Sequence, residues 1–243
     1  MIKNLKSIIK RLFWKFGFKI EKIVIPEEYN LTAPELPLLK CLKNSKGILH
    51  FGAHRGSEAA IYEWFGKKVY WFEANPKIFL DLENNLKVYP FQKAICALVS
   101  DENDKKEKFK ISNNDGASSS IFDFGYLSSG SKTLWPNKKK KLKMTNIIDL
   151  RTSTIDNLIL ENKIEIKSFD HWVLDLQGAE LLALKGADKS IEYCKSLFIE
   201  VSKGEVYQNA AQYHDIKVFL LKKGFKQSWE PYNEHSNVLF ERF

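Results

Sequence analysis

An α/β architecture, with strands and helices alternating around one sheet, is predicted by three features of this sequence. From residue 47 onward, short apolar runs alternate with segments whose apolar residues recur at helical spacing. The first apolar run ends in a glycine-bearing turn, FGAHRGS, at residues 51–57. Two later runs, VLDL at residues 173–176 and IEVS at residues 199–202, carry carboxylates near their ends. The 243 residues are 44% hydrophobic, which excludes disorder for most of the chain and supplies one sizeable core with a small appendage.

The appendage comes first, at residues 1–46. Ile2, Leu5, Ile9, Leu12, Phe13 and Phe16 fall on one face of a helix and Lys3, Lys6, Lys10, Arg11 and Lys15 on the rest, up to Gly17. Such a basic amphipathic helix either docks on a protein core or rests on anionic lipid. Residues 24–38, with Pro26, Pro34 and Pro37, read as a linker. The domain proper, residues 47–243, opens with the strand GILHFGA (47–53), a helix over 57–66 and the strand KVYWFEANP (68–76), which ends in an acid and an Asn-Pro turn. A helix over 77–86 and a third strand within 91–99 complete a βαβαβ unit.

Residues 101–150 are less regular and richer in Lys, Asn and Ser, and read as extra strands with a mobile lysine-rich loop at 132–143. Order returns with a short helix at 154–161, the buried strand HWVLDLQG (171–178), the helix AELLALKGA (179–187) and the strand SLFIEVS (196–202). An amphipathic helix over 211–223 stops at Gly224, and 225–229 with 237–243 make a last antiparallel pair.

The net charge of +8 is concentrated: residues 1–20 hold six Lys or Arg and no acid, and residues 132–143 hold six Lys and no acid. The rest of the chain is net acidic, at −4, which argues against a general nucleic-acid-binding body. Cys41, Cys96 and Cys194 lie far apart without metal-ligand spacing, so reduced and mostly buried thiols are expected, with no metal site. No apolar run is long enough to span a bilayer, and cations interrupt any secretory h-region. A cytoplasmic protein is expected, with residues 1–20 as the one place for peripheral contact with the inner membrane face.

Four constellations carry chemistry. Gly52 and Gly56 permit close backbone approach, so the first turn can hold a polar or anionic ligand end, with His54 inside it to orient the ligand. The G-x-x-x-G spacing lacks the middle glycine that admits a dinucleotide pyrophosphate, which disfavours a nicotinamide oxidoreductase. Glu73, about 20 residues on, ends the second strand, where an acid either accepts from ribose hydroxyls or sits as a solvated cap. Asp175 interrupts an apolar central strand and needs partners: it either faces the ligand crevice or caps the next helix. Glu200 ends the following strand and is expected to edge the same crevice, with Glu180 and His214 as further titratable groups.

In combination, FGAHRG, VYWFEANP, GASSS, TSTIDNLI, LDLQGAELLALKGA, IEVSKGEVYQ and FLLKKGF, in this order over residues 47–243, resemble the FkbM-type methyltransferases. The resemblance implies a Rossmann-like class I methyltransferase fold, a seven-stranded, mostly parallel sheet with its last strand antiparallel and helices on both faces, binding S-adenosylmethionine. It places Phe51, Gly52, Ala53, His54 and Gly56 at the methionine end of that cofactor, Glu73 and Ala74 at the ribose, and Asp175 near the transferring methyl. His50 stands where family members usually have Asp, a departure that leaves the cofactor's ammonium to Asp175 or backbone carbonyls.

The resemblance also implies methyl transfer to oxygen, on a saccharide hydroxyl of a surface glycan or its precursor. Asp175 or Glu200 would take the hydroxyl proton, and the activated sulfonium requires no metal. Two other readings stay open: methylation of a small secondary metabolite, favoured by a tight apolar cleft, and a non-catalytic glycan- or membrane-binding module, suggested by His50. A roomy, aromatic-poor cleft favours the saccharide.

Overall fold

The strand GILHF is apolar at every position but one, and all five residues are buried, as a strand covered on both faces requires. In a computed structural model, which describes residues 35–129 and 141–243, it is the central strand β1 (Gly47–Phe51). The chain continues through α2 (Ala59–Trp64), β2 (Lys68–Glu73), α3 (Pro76–Leu86) and β3 (Gln92–Cys96), so that β2 and β3 extend the sheet to one side. It then crosses to the other side with β7 (His171–Leu174), α6 (Glu180–Lys185), β8 (Ser196–Ser202), α7 (Tyr213–Lys222), β9 (Phe225–Gln227) and β10 (His235–Arg242). The seven-stranded sheet has the order β3-β2-β1-β7-β8-β10-β9, parallel throughout except for β10, which runs antiparallel to both neighbours. The expected architecture is therefore observed, and the order reverses between β1 and β7, where open α/β sheets place ligands.

Side chains alternate across the sheet with period two. Ile48, Val69, Trp71 and Val173 pack on one face with Ala59, Tyr62 and Leu82 of α2 and α3. Leu49, Phe51, Phe72, Trp172 and Leu174 pack on the other with Leu184, Ile216 and Leu220 of α6 and α7. The helix starts are written locally. Asn75 accepts from the Lys77 amide (3.1 Å) ahead of Pro76 at the first turn of α3, and Thr154 accepts from the Asn157 amide (3.1 Å) at the start of α5 (Ile155–Glu161).

Between β3 and α5 the chain builds a three-stranded sheet, β4 (Leu98–Val99), β6 (Met144–Ser153) and β5 (Lys106–Ser112), with the short α4 (Tyr126–Ser129). The β5–β6 pair is antiparallel, with a register shift at Ile111/Ser112. These are the extra strands expected of the irregular middle. The basic helix of residues 1–20 and residues 132–140 of the lysine-rich loop lie outside the described residues. No described helix is long and apolar enough to cross a membrane.

Two expectations are corrected. The linker reading of 24–38 fails from residue 35, where α1 (Glu35–Asn44) begins. Leu38 and Leu42 stand four residues apart and pack on the domain core, while Pro37 falls in the first turn, where its missing N–H is not needed. The compact unit accordingly starts at Pro37, ten residues before the expected boundary. Of the three free thiols only Cys194 is buried; Cys41 is half-buried and Cys96, at the end of an outer strand, is exposed.

Leu174 is fully buried at the centre of the larger core cluster. Leu174→Ala is expected to cost about 2–5 kcal/mol of unfolding free energy in a urea titration; a loss under about 1 kcal/mol would contradict the packing described.

Candidate functional site

A cleft opens at the reversal point, above the C-terminal ends of β1, β2 and β7. It is lined by His50, Gly52, Ala53, His54, Ser57 and Glu58 from the first strand and turn, by Phe72, Glu73 and Ala74 from the second, and by Asp175, Leu176, Gln177 and Ala179 after β7. Residues 97–99, Phe109, Gly116, Ala117, Ser119 and Ile121 of the inserted segment close its far side.

Backbone bonds hold the three strand ends together. The amides of Gly52 and Ala53 donate to the Phe72 carbonyl (2.9 and 3.0 Å), and the Asp175 amide donates to that of Phe51 (2.9 Å). Gly52 has a φ of +86°, and a Cβ on it would lie 1.8 Å from the Asp175 carbonyl oxygen. Only glycine meets both conditions. His54 also has positive φ (46°), which turns its amide onto Glu73 Oε2 (2.8 Å); the Asn75 amide donates to Glu73 Oε1 (2.8 Å). The Glu73 carboxylate is thus buried and clamped by two backbone N–H groups. Burial raises its pKa and those two bonds oppose the rise.

The turn is latched to the opposite loop. Arg55 Nη1 donates to Asp115 Oδ2 (2.5 Å), Arg55 Nε donates to Asp81 Oδ2 (3.0 Å), and His54 Nε2 lies 3.1 Å from the Asp115 carbonyl. His50 is buried under the turn, 3.0 Å from the Tyr62 hydroxyl and stacked on Trp71 at 4.5 Å between centroids. Burial pulls its pKa down to about 4, partly offset by the charge of Glu58, so the imidazole is neutral at pH 7.

Three acids crowd the end of β7. Glu180 bends back to accept from the amides of Leu176 (2.7 Å) and Gly178 (3.1 Å), and burial pushes its pKa up to about 7. It is therefore Glu180, not Asp175, that holds the loop ahead of α6. The Gln177 amide donates to Asp175 Oδ1 and to Glu200 Oε2 (2.8 Å), while its own oxygen accepts from the Tyr207 hydroxyl (2.5 Å). Burial raises the Asp175 carboxyl well above the usual carboxylate range, and the Glu200 charge adds to the rise. Glu200 is itself pushed up to about 8, by burial first and then by the Glu180 charge. His235 Nε2 lies 2.9 Å from Glu200 Oε1, closing the row.

Of the residues singled out in the sequence, Gly52, Ala53, His54, Glu73, Ala74 and Asp175 face this one cleft. Phe51 does not: it is fully buried in the core below, and contributes only its carbonyl. Gly56 is turned away, with Leu82 of α3 at 2.8 Å from where its Cβ would be. Glu200 lines a separate small recess with Tyr207 and Val206 and meets Asp175 both by a direct side-chain hydrogen bond and through Gln177, so it does not edge the crevice as expected. His214 is exposed on α7 and lines neither. Glu58, Gln177 as a bridge and Tyr207 were not legible as site residues. Glu58 follows the turn with no pattern to mark it, and Tyr207 arrives from a loop distant in sequence. Among the described residues no group of three or more His, Cys, Asp or Glu is placed to hold a metal ion.

Gly52→Ala combines positive-φ strain with the carbonyl clash and is expected to cost roughly 2–5 kcal/mol, seen as a lowered midpoint in thermal unfolding. Unchanged stability would mean that the end of β7 yields freely.

Residues 50–226 match the family model described as the methyltransferase FkbM domain. No curated protein matches the chain. Solved structures similar to it include magnesium protoporphyrin IX methyltransferase from Synechocystis PCC 6803 with bound SAM, 9% identical over 98% of this chain and 97% of that one, with a TM-score of 0.43. Others are a TehB-like SAM-dependent methyltransferase from Corynebacterium glutamicum ATCC 13032 (12% identity, 99% and 97% covered, TM-score 0.41) and the PH0226 protein from Pyrococcus horikoshii OT3 (11%, 95% and 98%, 0.46). Since the matched stretch runs through most of the domain and takes in every residue that lines the cleft, the chain belongs to the FkbM methyltransferase domain family.

Proposed function

We propose that the protein is an S-adenosylmethionine-dependent O-methyltransferase that acts on a saccharide hydroxyl, in a surface glycan or its precursor. The observation that carries this reading is the convergence of Gly52, Glu73 and Asp175 on one cleft, in a chain of a methyltransferase family.

The residues present fit the donor. Gly52 lets the ends of β1 and β7 close up beneath the cleft, and Ala53, Ala74, Ala97 and Ala117 leave its walls low. Glu73, clamped by two N–H groups, keeps further lone pairs for ribose hydroxyls. Bound there, S-adenosylmethionine supplies a methyl already activated by its sulfonium. Asp175, the acid at the mouth of β7, takes the proton of the acceptor hydroxyl as that oxygen gains its new bond. A sugar hydroxyl is a poor nucleophile at neutral pH, and a carboxylate whose pKa burial has raised is a stronger base than an exposed one. Glu200, outside the cleft, acts on Asp175 through Gln177 and through its charge. Among the described residues only Phe72 and Phe109 bring phenyl rings to the lining, while Ser57, Glu58, Ser119 and Gln177 bring polar groups, which supports a saccharide over a flat apolar metabolite.

Incubating the protein with methyl-labelled S-adenosylmethionine and whole-cell glycan extracts is expected to place label on a saccharide fraction, identified by mass. Label found only on small apolar products would overturn the saccharide assignment. For the base, turnover is expected to rise as pH is raised through neutrality towards about 8, because the acid row must lose a proton before Asp175 can accept one. Asp175→Asn should lower kcat by about 10²–10⁴-fold. Glu200→Gln removes a like charge, so the rising limb should move to lower pH. Wild-type turnover in the first variant, or an unmoved limb in the second, would refute these roles.

A further inference from the structure

We propose that Glu58 is the counter-ion for the ammonium group at the amino-acid end of the donor; this rests on S-adenosylmethionine being the donor. Three carboxyl groups face the cleft: Glu58, Glu73 and Asp175. Glu73 already accepts a backbone N–H on each oxygen and is taken up by the ribose in the reading above, and Asp175 is tied to Gln177 and taken up by the acceptor hydroxyl. Glu58 differs from both. It is half-buried at the start of α2, its Oε1 accepts only from the Ser57 hydroxyl (2.8 Å), and it enters no ion pair among the described residues.

Glu58 comes from the segment that leaves the Gly52 turn, and it lines the cleft together with His50, Gly52, His54 and Ser57. His50, which shares the cleft lining, is neutral and brings no negative charge to an ammonium. Among the described residues no Lys or Arg lines the cleft to compete for Glu58. A primary ammonium taken into such a cleft must meet an anion or lose its hydration uncompensated. Among the described residues that line the cleft, Glu58 is the carboxylate that neither the ribose nor the acceptor hydroxyl engages.

Calorimetry on the full chain separates this from the donor reading. The probes are S-adenosylhomocysteine, which carries the ammonium, and 5′-methylthioadenosine, which has the same nucleoside without the amino-acid end. Glu58→Gln is expected to weaken S-adenosylhomocysteine about 10–100-fold and to leave methylthioadenosine unchanged. Glu58→Asp, which keeps the charge on a shorter stem, should recover part of the loss. Equal weakening of both probes would assign Glu58 to the shape of the turn and overturn the proposal, as would unchanged affinity for both. If the unaltered protein binds neither probe, the donor reading falls and this inference falls with it.

Discussion

The site rests on a single close approach: the carbonyl of Asp175 occupies the space that a side chain on residue 52 would need. Adjacent parallel strands normally keep their side chains apart, but here the chain leaving β1 must turn at once across the end of β7. The amide of Asp175 bonds the carbonyl of Phe51, and the next two amides of the turn bond Phe72 on the other side. Three strand ends are fixed at one level by backbone alone. Glu73 and Asp175 therefore reach the same cleft from opposite sides of β1 without any side-chain contact to bring them together. The glycine is a geometric necessity of the sheet before it has anything to do with a ligand.

The acid row at β7 shows the cost of that placement. A buried carboxyl is destabilising unless it is hydrogen-bonded or keeps its proton, and Asp175, Glu180 and Glu200 meet the requirement in different ways. Glu180 spends its lone pairs on the loop amides, an arrangement that positions α6. Glu200 leans on His235 and Gln177. Asp175 is held by the Gln177 amide and by a side-chain hydrogen bond with Glu200, and of the three it shares the cleft lining with Gly52 and Glu73. Gln177 sits in the left-handed region, at a φ of 54°, and each polar atom of its amide is engaged. The strained backbone at this residue is what allows one amide to serve two acids and a tyrosine.

Period and punctuation in the sequence carried most of the sheet: the buried run of β1, the Asn-Pro start of α3 and the Gly224 stop all stand where local chemistry puts them. Side-chain parity was harder to read. Phe51 lies beside Gly52 in sequence, yet alternation sends its ring into the core. For Glu200 the missing datum was register. Leu174 pairs with Ile199, so Glu200 lies one step beyond, level with Asp175 on the neighbouring strand. That makes it a partner of Asp175 in place of a second wall of the cleft. The mixed composition of 35–46 hid α1, whose two core leucines follow a proline that reads as a linker signal until its place in the first turn is known. Tyr207 and the loop around Gly116 reach the site from afar, and no local pattern announces a contact across that distance.

The sign of the cleft's charge favours a cationic ligand independently of any motif. The spacing of the first turn argued against a pyrophosphate because it lacks a glycine; the structure adds an electrostatic reason. Among the described residues Glu58, Glu73 and Asp175 line the cleft, and no Lys or Arg does. Arg55, the one cation within the turn, has its guanidinium committed to Asp81 and Asp115. A doubly charged pyrophosphate brought there would meet carboxylates at short range with little water to screen them, whereas a sulfonium with an ammonium would meet partners. A fold that serves dinucleotides elsewhere is thus biased towards a cation by which residues sit on three strand ends.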